Sequence, residues 1–128
     1  MSQKYNVFLV SDSTGETIER IFYAIKSQFA NFEYVLKEFV FIRTETQVDK
    51  IIGECKELEN VVILYTIVET KLAKYVANKA AESQIPCFGI LGNLILNFSK
   101  ILNQKATHKP SAQHVLDENY YKRIDAIQ

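Results

Sequence analysis

Tyr5-Asn6-Val7-Phe8-Leu9-Val10-Ser11-Asp12-Ser13-Thr14-Gly15-Glu16-Thr17 decides how the rest of the chain is read. Tyr5 to Val10 is an apolar β-run. It stops at a short polar turn, and a helical pattern starts directly behind it. A buried strand feeding a helix through a polar turn is the opening unit of an α/β sheet. Ser13 and Glu16 have the S-x-x-E spacing of a capping box, so the serine is expected to cap the helix while the glutamate reaches back. Such a turn suits anion binding, because the N–H groups at a helix start point outward. Hydroxyls from Ser11, Ser13 and Thr14 would add donors, and Gly15 would let a ligand approach the main chain. The bland alternative is that these residues only cap the helix. Spacing alone leaves the two open.

The same alternation continues outward. The first helix is expected from about Gly15 to Phe29, with Ile18, Ile21, Phe22, Ile25 and Phe29 on one face. Phe32 to Ile42 reads as a second strand, richest in β-formers over Glu38–Ile42. Thr44 and Gln47 repeat the capping-box spacing, ahead of a stripe of Val48, Ile51, Ile52, Cys55 and Leu58. Val61-Val62-Ile63-Leu64-Tyr65 is apolar without alternation, the mark of a strand buried on both faces. A third helix is expected over Glu69–Ser83, with Leu72, Tyr75, Val76 and Ala80 inward. Pro86–Leu91 reads as a fourth strand, and a fourth helix carries Leu94, Phe98, Ile101 and Leu102. The expected fold is α/β and three-layered: a Rossmann- or flavodoxin-like parallel sheet of about four strands flanked by helices, with right-handed crossovers. A strand order of 2-1-3-4 would bring Ser11–Gly15 and Thr66–Thr70 to one crevice at the carboxyl ends of the strands.

Past residue 104 the periodicity stops. Residues 1–104 read as the α/β domain and 105–116 as an exposed connector. Residues 117–128 read as the start of a helix, capped by Asp117 and carrying Tyr120, Tyr121, Ile124 and Ile127. That stripe is still running at Gln128, as though a larger protein continues. Thr66, Glu69, His114 and Arg123 are the candidate cleft residues beside the Ser11–Gly15 turn.

Composition narrows the function. Fifteen basic and fifteen acidic residues balance, and the pI is about 6.7, so charge offers no case for nucleic acid or an anionic membrane. No stretch approaches the ~20 apolar residues of a membrane span. The start, Met1-Ser2-Gln3-Lys4, leads straight into a strand, so no signal peptide is expected. Cys55 and Cys87 match no metal spacing and read as free, buried thiols of a cytoplasmic protein. His108 and His114 are the only histidines and lack co-ligands, so no metal is expected. Neither G-x-x-x-x-G-K-[ST] nor G-x-G-x-x-G occurs in the chain.

Phe8–Thr17, Ser27-Gln28-Phe29, Val62–Val68 and the closing Asp117, Tyr121, Arg123-Ile124 and Ala126-Ile127 together resemble the regulatory proteins of pyruvate, phosphate dikinase and of phosphoenolpyruvate synthase. The resemblance implies a bifunctional protein. Such a protein uses ADP to phosphorylate a threonine of the target enzyme and inorganic phosphate to remove that phosphoryl group. It also implies that the phosphate loop and a His-Asp-Asp-Gly segment follow the region matched here. The chain would then be the amino-terminal domain, inactive alone and without a cofactor of its own. The Ser11–Gly15 turn would be a phosphate or partner contact, and a homodimer is an open option. Two rivals remain on sequence grounds: a stand-alone flavodoxin-like module for a small phosphorylated ligand, and a structural dimerisation unit.

Overall fold

The computed structural model describes residues 3–110. Four parallel strands, β1 (Lys4–Ser11), β2 (Glu33–Phe39), β3 (Val61–Thr66) and β4 (Cys87–Gly89), alternate with four helices, α1 (Glu16–Lys26), α2 (Glu45–Lys56), α3 (Thr70–Glu82) and α4 (Gly92–Leu102). The sheet runs β2-β1-β3-β4, the order raised above on architectural grounds and left open by the sequence. Val7 lies opposite Leu36 on one side and Val62 on the other.

The alternation of β1 divides the core in two. Phe8 and Val10 point to the face covered by α2 and α3, where they join Val48, Ile51, Ile63 and Val76. Val7 and Leu9 point to the opposite face and pack with Ile18 and Phe22 of α1 and with Leu64. Right-handed crossovers enforce this split: the path from β1 to β2 runs one way across the sheet, and the later crossovers run the other way. Phe8 is fully buried and stacks on Phe39 at 5.5 Å between ring centres. Burial of that one ring contributes roughly 1.5–3 kcal/mol.

Several boundaries differ from expectation, each for a local reason. The Ser13–Glu16 capping box does not form. Gly15 occupies the N-cap of α1 in a left-handed conformation (φ 87°), with no side-chain cap. Ser13 is buried, and its carbonyl accepts from Phe41 N. Gly15 also packs against the segment after β2. A Cβ there would meet Val40 Cγ1 at 3.0 Å, so the glycine makes room for a neighbouring loop.

In α1, Ile18 and Phe22 are buried, whereas Ile25 and Phe29 are exposed and the helix ends at Lys26. β2 stops at Phe39, short of Ile42. Phe41 turns into left-handed space (φ 53°), and the N–H groups of Phe41 and Ile42 bind Ser13 O and Ser11 O, both at 3.0 Å. This segment folds over the end of β1 instead of extending the sheet. The second capping box does form, with Thr44 and Gln47 bonded reciprocally.

α4 is the largest departure. Leu94, Phe98, Ile101 and Leu102 do not pack inward, and Ile101 is 74% exposed. The helix turns Ile95 and Ser99 toward α3, across a cavity of about 490 Å³. Its apolar stripe faces out. Among the described residues no helix is long and apolar enough to cross a membrane.

Candidate functional site

Three loops meet at the carboxyl ends of β1, β2 and β3, which is where open α/β sheets place ligands. The β1 loop is the hub. Asp12 N donates to Thr66 O at 3.2 Å, tying it to β3. Val68 N donates to Asp12 Oδ2 at 2.8 Å, and Arg43 Nε donates to Asp12 O at 3.1 Å. Ser13 N donates to Ser11 Oγ at 3.0 Å. The loop is therefore held from both sides, by residues 41–43 after β2 and residues 66–68 after β3. Asp12 is only 3% exposed. Burial pushes its carboxyl above the usual aspartate range, while the Val68 N–H and the nearby Arg43 guanidinium pull it back part of the way.

A cavity of about 300 Å³ opens between these loops, lined by Asp12, Ile42, Arg43, Ile67, Glu69, Leu72 and Pro110. A wider hollow of about 720 Å³ lies at the other end of the sheet, near the starts of β1, β3 and β4, among Tyr5, Val61, Ile85 and Pro86. Its polar lining, Lys56, Asn60, Ser83 and Gln84 among it, sits at the amino ends of the strands, away from the switch point. Position at the carboxyl ends of the strands favours the smaller cavity.

The sequence candidates divide on inspection. Ser11 ends β1, and Asp12, Ser13, Thr14 and Gly15 lead from it to α1; of these five only Asp12 lines the cavity, together with Glu69, while Thr66 meets the turn through its carbonyl. Several of them serve the loop or a helix first. Ser11 and Asp12 hold the turn together. Glu69 caps α3, with Oε1 accepting from Lys71 N at 3.2 Å and Oε2 from Leu72 N at 2.8 Å. Thr14 Oγ1 is buried without a partner among the described residues. His114, Asp117 and Arg123 lie outside the described residues.

Two contributors escaped the sequence reading. Arg43 stands just past β2 at the crevice, a position that follows once β2 is placed beside β1. His108 was read only as a loop imidazole. Its Nδ1 lies 2.8 Å from Val68 O, pinning the segment that brings Pro110 to the cavity. No group of three or more His, Cys, Asp or Glu suited to a metal occurs among the described residues. Cys55 and Cys87 are free, and burial pushes both thiols up to about 12, away from the thiolate form.

Comparison with known proteins gives this geometry its family. Residues 7–128 match the profile described as kinase/pyrophosphorylase. The chain belongs to the kinase/pyrophosphorylase family. A protein of Pelagibacter ubique that bears the name pyruvate, phosphate dikinase regulatory protein is 61% identical over all 128 residues, which make up 47% of its length. Proteins of the same name from Brucella anthropi and Rhodopseudomonas palustris are 37% and 34% identical over 123 residues, covering 44% of each. The chain thus spans about half the length of the curated relatives it matches.

Proposed function

We propose that the chain is the amino-terminal α/β half of a regulator of pyruvate, phosphate dikinase or phosphoenolpyruvate synthase. The whole protein would be a bifunctional threonine kinase and phosphotransferase, using ADP to switch the target off and inorganic phosphate to switch it on. The observation that carries this reading is the 61% identity across the whole chain to a protein bearing the dikinase-regulator name. The family description, kinase/pyrophosphorylase, supports it.

Within that protein this half is the scaffold and contact unit. Phosphoryl transfer rests on positioning and on neutralising charge with a phosphate-loop lysine and a metal. The 128 residues contain no G-x-x-x-x-G-K-[ST] segment, so the transfer chemistry belongs to the remaining half. The crevice at Asp12 and Glu69 is the working edge of the scaffold, and the cytoplasm is its setting.

The reading is tested with the purified 128-residue chain, its target enzyme and ADP. The chain binds the dikinase in calorimetry, binds ADP no tighter than millimolar, and leaves no phosphothreonine on the target. Micromolar ADP affinity, or transfer by the chain alone, would show that the division of labour is wrong.

A further inference from the structure

We propose that Arg43 is the anion receptor of the crevice, and that its ligand is a phosphate, free or esterified. The inference deepens the reading above and rests on it only for the crevice being the working edge.

Three observations carry it. The first concerns charge. Asp12, Arg43 and Glu69 are the charged residues lining the cavity. On net charge alone the cavity is acidic, which would argue for a cation. The hydrogen bonds reverse that expectation. Asp12 is buried with Oδ2 on the Val68 amide, and Glu69 has both oxygens on amides at the start of α3. Each carboxylate is already answered by main-chain N–H groups, and that of Glu69 also by a helix N-terminus. Arg43 is different. It spends Nε on Asp12 O, and neither of the two salt bridges among the described residues includes it. Its charge also acts on the Asp12 carboxyl, but its terminal N–H groups are donors at this cavity left without a protein partner among the described residues.

The second observation is preorganisation. A surface arginine is ordinarily free to wander, and holding it on a ligand costs entropy. Arg43 is held beforehand. Gln47 Oε1 accepts from Arg43 N at 2.7 Å, and Gln47 Nε2 donates to Phe41 O at 3.3 Å. The guanidinium lies over the Phe41 ring at 5.6 Å, while Nε fixes its plane on the β1 loop. Phe41 is itself held in left-handed backbone space, a conformation that costs energy and tends to persist where function uses it. A planar fork fixed at one edge and open at the other suits two oxygens of one phosphate.

The third is place and size. The fork sits at the switch point of the sheet. A cavity of about 300 Å³ admits a phosphoryl group with a small substituent and is too small for a dinucleotide.

The test is a titration of the ¹⁵N-labelled 128-residue chain followed by NMR at constant ionic strength. Inorganic phosphate and methyl phosphate are the two probes, with acetate and chloride as controls. Phosphate should move the Arg43 Nε–H and Val68 N–H resonances together, saturating with one dissociation constant. Tighter binding of methyl phosphate would assign the site to a phosphate ester, and tighter binding of phosphate to the free ion. Arg43→Gln should weaken binding at least about tenfold, and Arg43→Lys less, since charge survives and the fork does not. Gln47→Ala should weaken it about threefold with the arginine intact, because Gln47 positions the fork. The proposal is overturned if Arg43→Gln responds like the parent chain, or if the shifts follow ionic strength without saturating. Dikinase binding by Arg43→Gln is measured separately: retained target binding with lost phosphate binding leaves the scaffold reading intact, and the reverse sinks that reading alone.

Discussion

Asp12 shows how one side chain can be both structural and sensitive to acidity. Its carboxyl is pushed up chiefly by burial, so the folded chain holds that proton more tightly than the unfolded chain does. The sign follows. Above the folded pKa the group is charged in both states, and burial makes that charge unfavourable. As pH falls toward the ordinary aspartate value, the folded state takes up its proton first, and this one residue favours folding. Asp12→Asn removes the titration and keeps an oxygen for the Val68 amide. Melting temperatures between about pH 7 and about pH 4 should therefore show the parent chain gaining on Asp12→Asn as the solution is acidified. Asp12→Ala leaves the Val68 N–H without its acceptor and should cost about 1–3 kcal/mol in urea unfolding.

The two capping-box spacings make the comparison at the level of elements. Ser13-x-x-Glu16 and Thr44-x-x-Gln47 share the spacing, yet only Thr44–Gln47 closes into a box. Thr44→Ala should cost about 0.5–2 kcal/mol by chemical denaturation.

Local periodicity was enough to place β1, β3, α2 and α3, because a buried run or a regular stripe is dictated by chain geometry. It was not enough for the ends. The start of α1 falls at Gly15, not Ser13, and the Ser13 carbonyl is met by Phe41, twenty-eight positions later, a contact no local pattern shows. The crevice was legible as a place, from the βα order and the polar turn. Its cation was not, since Arg43 looks like any exposed arginine until β2 is laid beside β1 and Asp12 O is seen to fix it. α4 misled for the converse reason. An apolar stripe states that something covers it and does not state what.

On the scale of the whole molecule, the layers are unequal. α2 and α3 cover one face of the sheet, while α1 alone packs on the other. Phe88 of β4 pairs with Leu64, whose side chain points to the α1 side, and it remains 56% exposed. Leu94, Phe98 and Leu102 add to the uncovered apolar area. These residues have little of the core to lose. The double variant Leu94→Lys with Phe98→Glu should melt within a few degrees of the parent chain, because surface changes of this kind usually fall within about ±0.5 kcal/mol each. A larger drop in a calorimetric scan would mean that α4 is anchored by them.

That outward stripe has a practical consequence at the bench. A purified solution of this polypeptide ought to be sticky: it should take up hydrophobic dyes while fully folded, cling to column resins, and cloud when concentrated or salted. Polar replacements along α4 should clear the solution without softening the fold, which makes handling and folding two separately adjustable properties of the same molecule.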